Sequence, residues 1–366
     1  MFTAADHGFM EQALELAGRG LNTTTPNPRV GCVVVRDDTV VGTGWHEKAG
    51  MPHAEVLALK AAGTRSRGAT LYVNLEPCSH HGRTPPCVDA IVEAGVKRVV
   101  AAIQDPSPKV AGAGFARLRA AGIAVEQGLM EEQARELNIG FFARMTRGRP
   151  WMRMKIAASL DGRTALANGK SQWITGEAAR QDGHRWRARA CAVLTGFGTV
   201  RDDDPQLNVR GVDTPRQPLK IVVDSKFETS PSARLLKEGK TLVVGAVNDA
   251  KRTASLKEAG AEVVIIPNDG GKVELFKLME ELARRELNEI HVEAGTKLNG
   301  SLLQAGVVDE LLVYLAPSVI GDSGRGMFGL PELTDLSRST ALKIREVERV
   351  GADLRIVARI LDNRGR

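Results

Sequence analysis

HAE (53–55), followed by EPCSHHGRTPPC (76–87), is the stretch whose reading decides the fold. His53, Cys78 and Cys87 supply one imidazole and two thiolates, three ligands for a tetrahedral zinc whose fourth position stays open for water; a structural zinc would be closed by a fourth ligand. Glu55 stands two residues from His53 at the start of a helical run. From there its carboxylate can reach such a water without ligating the metal, which is the placing of a general acid/base. Zinc lowers the pKa of its water to about 7, so hydroxide is available at neutral pH. Such ligands need a scaffold that gathers three separate points of the chain, and the flanking sequence supplies one. The helical run continues to about Ala62, ATLYVNL (69–75) reads as a strand, a loop follows, a helix is expected over 88–94, and VKRVVAAI (96–103) is an apolar strand. This is α/β alternation. Both cysteines are expected to open the helix after the loop, where a helix N-terminus favours thiolate.

Upstream, Phe9, Met10, Ala13, Leu14, Leu16 and Ala17 recur at helical spacing, and 30–35 and 40–44 read as short strands around Asp37-Asp38. Downstream, a helix–strand pair over 114–126 and a helix over 131–144 close the unit. TRGRP (146–150) is a basic, Gly/Pro-containing joint, so the domains are placed at 1–147 and 148–366; a chain of 366 residues exceeds the usual span of one core. Beyond the joint the pattern restarts with a strand at 151–157, a helix at 177–190, and strands near 191–195, 219–223, 241–245, 262–266, 289–293 and 310–315, with helices between several of them. ALKIREVERVGADLRIVARIL (341–361) reads as an antiparallel pair turning at Gly351-Ala352, which makes the second sheet mixed.

Hydrophobic residues at 43% and charged residues at 26% are ordinary globular values, and no run approaches the ~18 apolar residues of a membrane span. No membrane partner is expected. The start of the chain carries Asp6, Glu11 and Glu15 in an amphipathic pattern, unlike a signal peptide, and the cytoplasm is the expected compartment. The net charge of +6 is spread out: residues 1–148 carry 16 basic against 15 acidic side chains, and the remainder 34 against 29. Without a basic arm or stripe, the excess suits phosphorylated small molecules, and no nucleic-acid partner is expected. Four cysteines are too few for a disulfide scaffold in a chain this long. Cys32 and Cys191 lie in apolar strands and read as small core residues.

The pattern H-x-E, then P-C and a second cysteine, is that of the zinc deaminases. Here eight residues separate Cys78 from Cys87 where generic nucleobase deaminases have two. EPCSHHGRTPPC and TPNPRVGCVVV (25–35) closely resemble the deaminase half of the bifunctional riboflavin-biosynthesis deaminase/reductase family. The second half is similar to the same family's reductase at MKIAASLDGRTA (154–165), SQWIT (171–175), TGFGTVRDDDPQLNVR (195–210) and VEAGTKLNGSLL (292–303). The resemblance implies a cytidine-deaminase-like three-layer α/β/α domain, then a dihydrofolate-reductase-like α/β domain. It implies one zinc per chain, NADPH as cofactor, and a homo-oligomer, dimer or tetramer. The implied substrate is a phosphorylated pyrimidine nucleotide, 2,5-diamino-6-(5-phosphoribosylamino)pyrimidin-4-one, deaminated to an aminouracil whose ribosyl group, as the open aldehyde, is then reduced to ribityl.

By position, Asn27 and His46 would seat the pyrimidine; the alternatives are a turn residue in Pro-Asn-Pro and a surface histidine. His80 and His81 are assigned to substrate phosphate or loop structure, because a fourth protein ligand would quench the metal. In the second half the resemblance implies cofactor contacts at Ala157, Trp173, Thr199, Asp203, Ser225, Gly295, Thr296, Lys297, Leu298, Asn299, Gly300 and Ser301. It implies substrate contacts at Ser171, Arg187, Leu207, Arg210 and Glu293. Arg187 and Arg210 suit a phosphate through forked donors, and Glu293, ending a strand, can accept from ribose hydroxyls. Trp173 either offers a flat face to nicotinamide or is a core tryptophan. Lys155 either polarises the carbonyl or is a solvated strand lysine. Asp202 and Asp204 are turn and surface residues beside Asp203.

The residues alone carry this half less far. No dinucleotide fingerprint occurs, since TGFGTV offers Gly196 and Gly198 but Arg201 stands where a third glycine belongs. Two strand-to-glycine turns, after 191–195 and after 289–293, present backbone N–H groups suited to a pyrophosphate and a phosphorylated substrate. Two rivals follow: a deaminase with a non-catalytic second domain, and a tRNA or DNA nucleobase deaminase or zinc-dependent nucleic-acid module. The latter needs stacking aromatics, and aromatics are 4% of the chain.

Overall fold

In the computed structural model, which describes residues 1–82, 85–108 and 110–361, the chain divides into Met1–Arg149 and Pro150–Arg366. The first unit runs α1 (Ala4–Gly18), β1 (Gly31–Arg36), β2 (Thr39–Trp45), α2 (Ala54–Ala62), β3 (Thr70–Val73), α3 (Cys87–Glu93), β4 (Arg98–Ala101), α4 (Ala113–Ala120), β5 (Ala124–Gln127), α5 (Glu131–Leu137) and α6 (Ile139–Arg147). Its sheet has the order β2-β1-β3-β4-β5, antiparallel where β1 meets β2 and β3, and parallel from β3 to β5.

Successive residues of a strand point to opposite faces, and β1 is buried on both. Cys32 and Val34 join Leu71, Val73 and Val99 against α2, α3 and α4, whereas Val33 and Val35 join Tyr72 and Val100 against α1 and α6. The three-layer expectation therefore holds. α2 lies unusually close to β2, because a Cβ on Gly44 would stand 2.4 Å from Ala54 O and one on Gly42 2.2 Å from Ala58 O. Only glycine permits that approach, which sets the start of α2 and the residues on it. The single helix expected over 131–144 is broken at Asn138, whose buried amide accepts from Arg29 N (2.7 Å) and donates to Arg29 O (2.9 Å). A tertiary pairing across 109 residues overrides helical periodicity there.

The second unit runs β6 (Trp151–Ser159), β7 (Arg163–Ala165), α7 (Glu177–Arg189), β8 (Ala192–Gly196), α8 (Phe197–Asp203), β9 (Leu219–Val223), β10 (Thr241–Gly245), α9 (Ala250–Glu258), β11 (Glu262–Ile265), α10 (Leu275–Arg284), β12 (Glu289–Val292), α11 (Thr296–Gln304), β13 (Glu310–Ala316), β14 (Arg325–Gly326), β15 (Leu342–Val350) and β16 (Asp353–Ile360). Nine strands form one sheet in the order β11-β10-β9-β8-β12-β6-β13-β16-β15. It is parallel from β11 to β13 and antiparallel at β16 and β15, the mixed sheet expected from the closing hairpin. Met152, Met154, Ile156, Leu194 and Val244 pack on one face against Leu278 and Leu282 of α10 and Leu302 of α11. Val222 and Val243 face Phe227 and Leu256 on the other. Deep in this sheet Arg153 of β6 pairs with Glu289 of β12 and Glu310 of β13, a buried arrangement that penalises any slip of either neighbour. The small pair β7–β14 and helix α8 were not legible, being too short for periodicity. Among the described residues no helix is long and apolar enough to cross a membrane.

Candidate active sites

In the first unit three elements converge. α2 begins directly after His53, whose backbone is extended (φ −76°, ψ 163°), so His53 stays off the helix while Glu55 enters its first turn. β3 leads into Glu76-Pro77-Cys78, and Cys87 is the first residue of α3. His53 Nδ1 stands 3.2 Å from Cys87 Sγ and 3.5 Å from Cys78 Sγ, and the three candidate ligand atoms lie within 4.8 Å of one another. Tetrahedral zinc with its usual N and S bond lengths separates such atoms by about 3.5 Å, so the cluster fits the metal. Only Cys87 opens a helix. Cys78, expected to do so as well, lies nine residues earlier, and its sulfur instead accepts the Cys87 N–H at 3.3 Å.

Glu76 fixes this loop from behind. Its carboxylate accepts from the backbone N–H of Asp105 (3.2 Å), Gly112 (3.0 Å), Gly114 (2.9 Å) and Phe115 (3.2 Å). Gly114 sits so close that a Cβ would lie 2.1 Å from Pro77 O. Glu55 is buried, and its Oε2 has no hydrogen-bond partner. Burial, aided by Cys78 and opposed by His53, pushes its carboxyl up to about 6. An orphaned buried carboxylate oxygen beside a metal-sized cluster can take up a proton from something bound there. A side-chain hydrogen bond between the two thiols draws Cys78 down and pushes Cys87 up.

His46 is buried, not on the surface: its Nε2 lies 3.0 Å from Asn27 Nδ2, its Nδ1 3.2 Å from Pro52 O, and its ring meets His53 edge-on at 5.1 Å. Asn27 and His46 are thus joined next to the cluster. His80 and His81 are exposed and outside it, and Cys32 and Cys191 are buried and outside it too, Cys191 Sγ accepting from Asn288 N at 3.3 Å. Arg83 and Thr84 of the loop lie outside the described residues.

In the second unit a cleft of about 1330 Å³ opens over the carboxyl ends of the parallel strands. β8 runs into α8 and β12 into α11, and these neighbouring turns close up so that a Cβ on Gly295 would lie 3.8 Å from Thr199 Oγ1. Ala157, Ser171, Trp173, Thr199, Asp203 and Ser225 line the cleft, as do Glu293, Gly295, Thr296, Lys297, Leu298, Asn299 and Ser301. Gly300 is turned away; a Cβ on it would lie 2.2 Å from Gly329 O. Trp173 is 70% exposed with the Arg180 guanidinium 4.8 Å above its ring, which removes the core reading.

The fork of Arg187, expected on a phosphate, closes on Glu293: Nη2 stands 2.8 Å from Oε2, Nε bonds Oε1, and Nη1 reaches Asn208 O at 2.9 Å. Arg187, the buried Leu207 and the exposed Arg210 lie off the cleft lining, grouped behind Glu293 around Asn208. Although burial pushes Glu293 up, Arg187 and His291 hold it well below the usual carboxylate range. Lys155 lines the cleft at β6, and burial lowers its ammonium against the pull of Glu293. It is not a solvated strand lysine.

A family model for the cytidine and deoxycytidylate deaminase zinc-binding region matches residues 3–103, and one for the RibD C-terminal domain matches residues 150–356. RibD of Escherichia coli K12 is 47% identical over 362 residues, 95% of this chain and 98% of that protein. The chain belongs to the RibD family. It is a bifunctional deaminase/reductase of riboflavin biosynthesis. The Aquifex aeolicus RibD is 43% identical, covering 97% of this chain and 98% of its own. Among solved structures, Acinetobacter baumannii RibD superposes with a TM-score of 0.91 at 43% identity, over 98% of this chain and 99% of that one. A Thermotoga maritima protein, a diaminohydroxyphosphoribosylaminopyrimidine deaminase/5-amino-6-(5-phosphoribosylamino)uracil reductase, gives 0.88 at 33%, with the same coverage.

Sequence reading missed several polar residues of this RibD chain. Glu76 lies inside the quoted loop motif, yet its role depends on backbone N–H groups 29–39 residues away. His184, whose Nδ1 accepts from Arg210 N at 3.2 Å, and His291, 3.3 Å from Glu293, stand in unremarkable helix and strand contexts. No spacing signal marks them.

Proposed function

We propose that the first unit deaminates 2,5-diamino-6-(5-phosphoribosylamino)pyrimidin-4-one, with His53, Cys78 and Cys87 holding one zinc and Glu55 moving the protons. When bound, the zinc supplies a Lewis acid that activates water at neutral pH. Glu55 takes one proton from the attacking water and gives it to the ring nitrogen, then takes the second from the new C–OH and gives it to the amino group, which leaves as ammonia; a carboxyl near 6 can do both. The observation that carries this reading is the unpartnered, buried Glu55 Oε2 beside the three-ligand cluster. Asn27 and His46, bonded to each other, are proposed to seat the pyrimidine.

The second unit is proposed to reduce the ribosyl aldehyde of 5-amino-6-(5-phosphoribosylamino)uracil to ribityl. NADPH, when bound, supplies the hydride. The chain's part is positioning and exclusion of water. Trp173 offers its exposed face to the nicotinamide, Ala157 and Asp203 line the same cleft, and the Gly295–Thr296 turn with Thr199 faces the pyrophosphate. Glu293 accepts from ribose hydroxyls, Lys155 polarises the carbonyl, and Ser171, Arg187, Leu207 and Arg210 frame the substrate, Arg187 sharing its guanidinium with Glu293. The partners proposed are this nucleotide and a second copy of the chain, in the cytoplasm, with no nucleic acid. The outer strand β15, with Leu342, Ile344 and Val347 exposed, favours the second copy.

Ammonia release and NADPH oxidation, followed together on the diaminopyrimidinone nucleotide, test both halves. Equal amounts of each product are expected, with about one zinc per chain. Wild-type protein without zinc overturns the deaminase reading, and unchanged nicotinamide absorbance with the deaminated substrate overturns the reductase reading.

A further inference from the structure

The strand order of the second unit lays out its cleft. From β6, which carries Lys155 and Ala157, the sheet continues through β12, β8, β9 and β10, four steps of ~4.8 Å or about 19 Å in all. Ligands of open parallel sheets lie outside the carboxyl ends of the strands. The turn into the nine-residue α11 at Gly295 and Thr296, beside Thr199, comes first along that line. The far end, beyond β9 and β10, is where the adenosine half of a dinucleotide would arrive.

At that end Val273 N–H donates to Ser225 Oγ at 3.3 Å. The bond ties the turn after β9 to the segment before α10. Lys226 and Lys272, each adjacent to one member of the bonded pair, therefore reach the same end of the cleft, and both line it. Both are exposed, and among the described residues neither ammonium is in an ion pair. Two of the nearby acids are engaged. Asp224 accepts from Thr229 N and Oγ1, each at 2.7 Å, and Glu274 caps α10 by accepting from Phe276 N and Lys277 N at 3.2 and 2.8 Å. Glu228 lies within electrostatic reach of Arg201. A site for an unphosphorylated ribose presents a free carboxylate to its 2′-hydroxyl. Here two carboxylates are committed to the backbone, and two cations are free.

We propose that Ser225, Lys226 and Lys272 bind the adenosine 2′-phosphate and make the reductase prefer NADPH to NADH. This rests on the reading of the cleft as a dinucleotide site. A phosphate dianion accepts from the Ser225 hydroxyl and from both ammonium groups, charge-assisted bonds that a 2′-hydroxyl cannot replace. The seat is exposed, so its contribution is screened by salt.

The test is titration of the full chain with NADPH and with NADH, followed by nicotinamide fluorescence, for wild type, Lys226→Ala, Lys272→Ala and the double variant. The double variant is expected to bind NADPH about 10- to 100-fold more weakly with NADH affinity unchanged, and raising the salt is expected to narrow the wild-type preference. A double variant that keeps the full preference overturns the assignment while leaving the dinucleotide reading intact. Parallel loss of NADH binding overturns it too, because the lysines would then be supporting the cleft and not reading the phosphate. Wild type that binds neither nucleotide removes the cleft reading itself.

Discussion

The two units differ in how their candidate sites are made. In the first, three metal-ligand atoms and one carboxylate converge, each from a residue type with few other uses at such a spacing, held by α2, the loop after β3 and the start of α3. In the second, a long cleft is walled by strand ends and glycine turns, with Glu293, held from behind by Arg187, on its lining. A metal cluster is a directional, residue-specific device, so it writes itself into sequence. A dinucleotide cleft is a shape, and many sequences produce it.

The sharpest way to break that comparison is to silence one site and read both. Glu55→Gln removes the proposed proton carrier but none of the three ligands. Ammonia release is expected to fall by at least about 10²- to 10⁴-fold, with about one zinc still bound per chain by metal analysis. NADPH oxidation on the deaminated substrate is expected to stay at the wild-type rate. If zinc is lost with the activity, Glu55 supports the metal and the proton-carrier role fails.

What the sequence disclosed follows the same divide. His53, Glu55, Cys78 and Cys87 could be picked out from chemistry alone, and the parallel strands of both sheets were readable as apolar runs. The break at Asn138 was not, because it depends on the backbone of Arg29. Nor was the fate of Arg187. A guanidinium on a helix reads equally as a phosphate fork or a carboxylate partner, and only the fold brings Glu293, 106 residues on, to meet it. The loop spacing from Cys78 to Cys87 pointed to the substrate through family resemblance, whereas the Glu76 clamp behind that loop stayed hidden, its donors being featureless backbone groups.

That ion pair offers the next test. Glu293→Gln leaves the Arg187 fork buried with a neutral partner, a change of the kind that costs about 3–5 kcal/mol. It also removes the carboxylate that steadies the Lys155 ammonium. Thermal unfolding of the second unit is expected at lower temperature, and NADPH oxidation is expected to drop about 100-fold as the substrate-facing groups shift. Ammonia release should be untouched. A parallel loss of ammonia release would show that the two sites are not independent, and the contrast between them would collapse.

The smallest expected effect lies behind the cleft, at His184. Burial, with Arg187 and Arg210 adding to it, lowers this imidazole from its ordinary 6.5 to about 4, and its Nδ1 must stay unprotonated to accept from Arg210 N. The folded chain therefore binds fewer protons here than the unfolded chain between those two values. Stability is fully present above about 6.5, declines as the pH falls, and is lost by about 4. With allowance for solvent screening of a partly exposed group, the decline amounts to ~2 kcal/mol. Denaturant unfolding of wild type and His184→Ala across that window measures it. The variant should give a flatter profile, since an alanine has nothing to protonate. Equal slopes would mean that another group carries the pH dependence and that His184 only fills space behind Glu293.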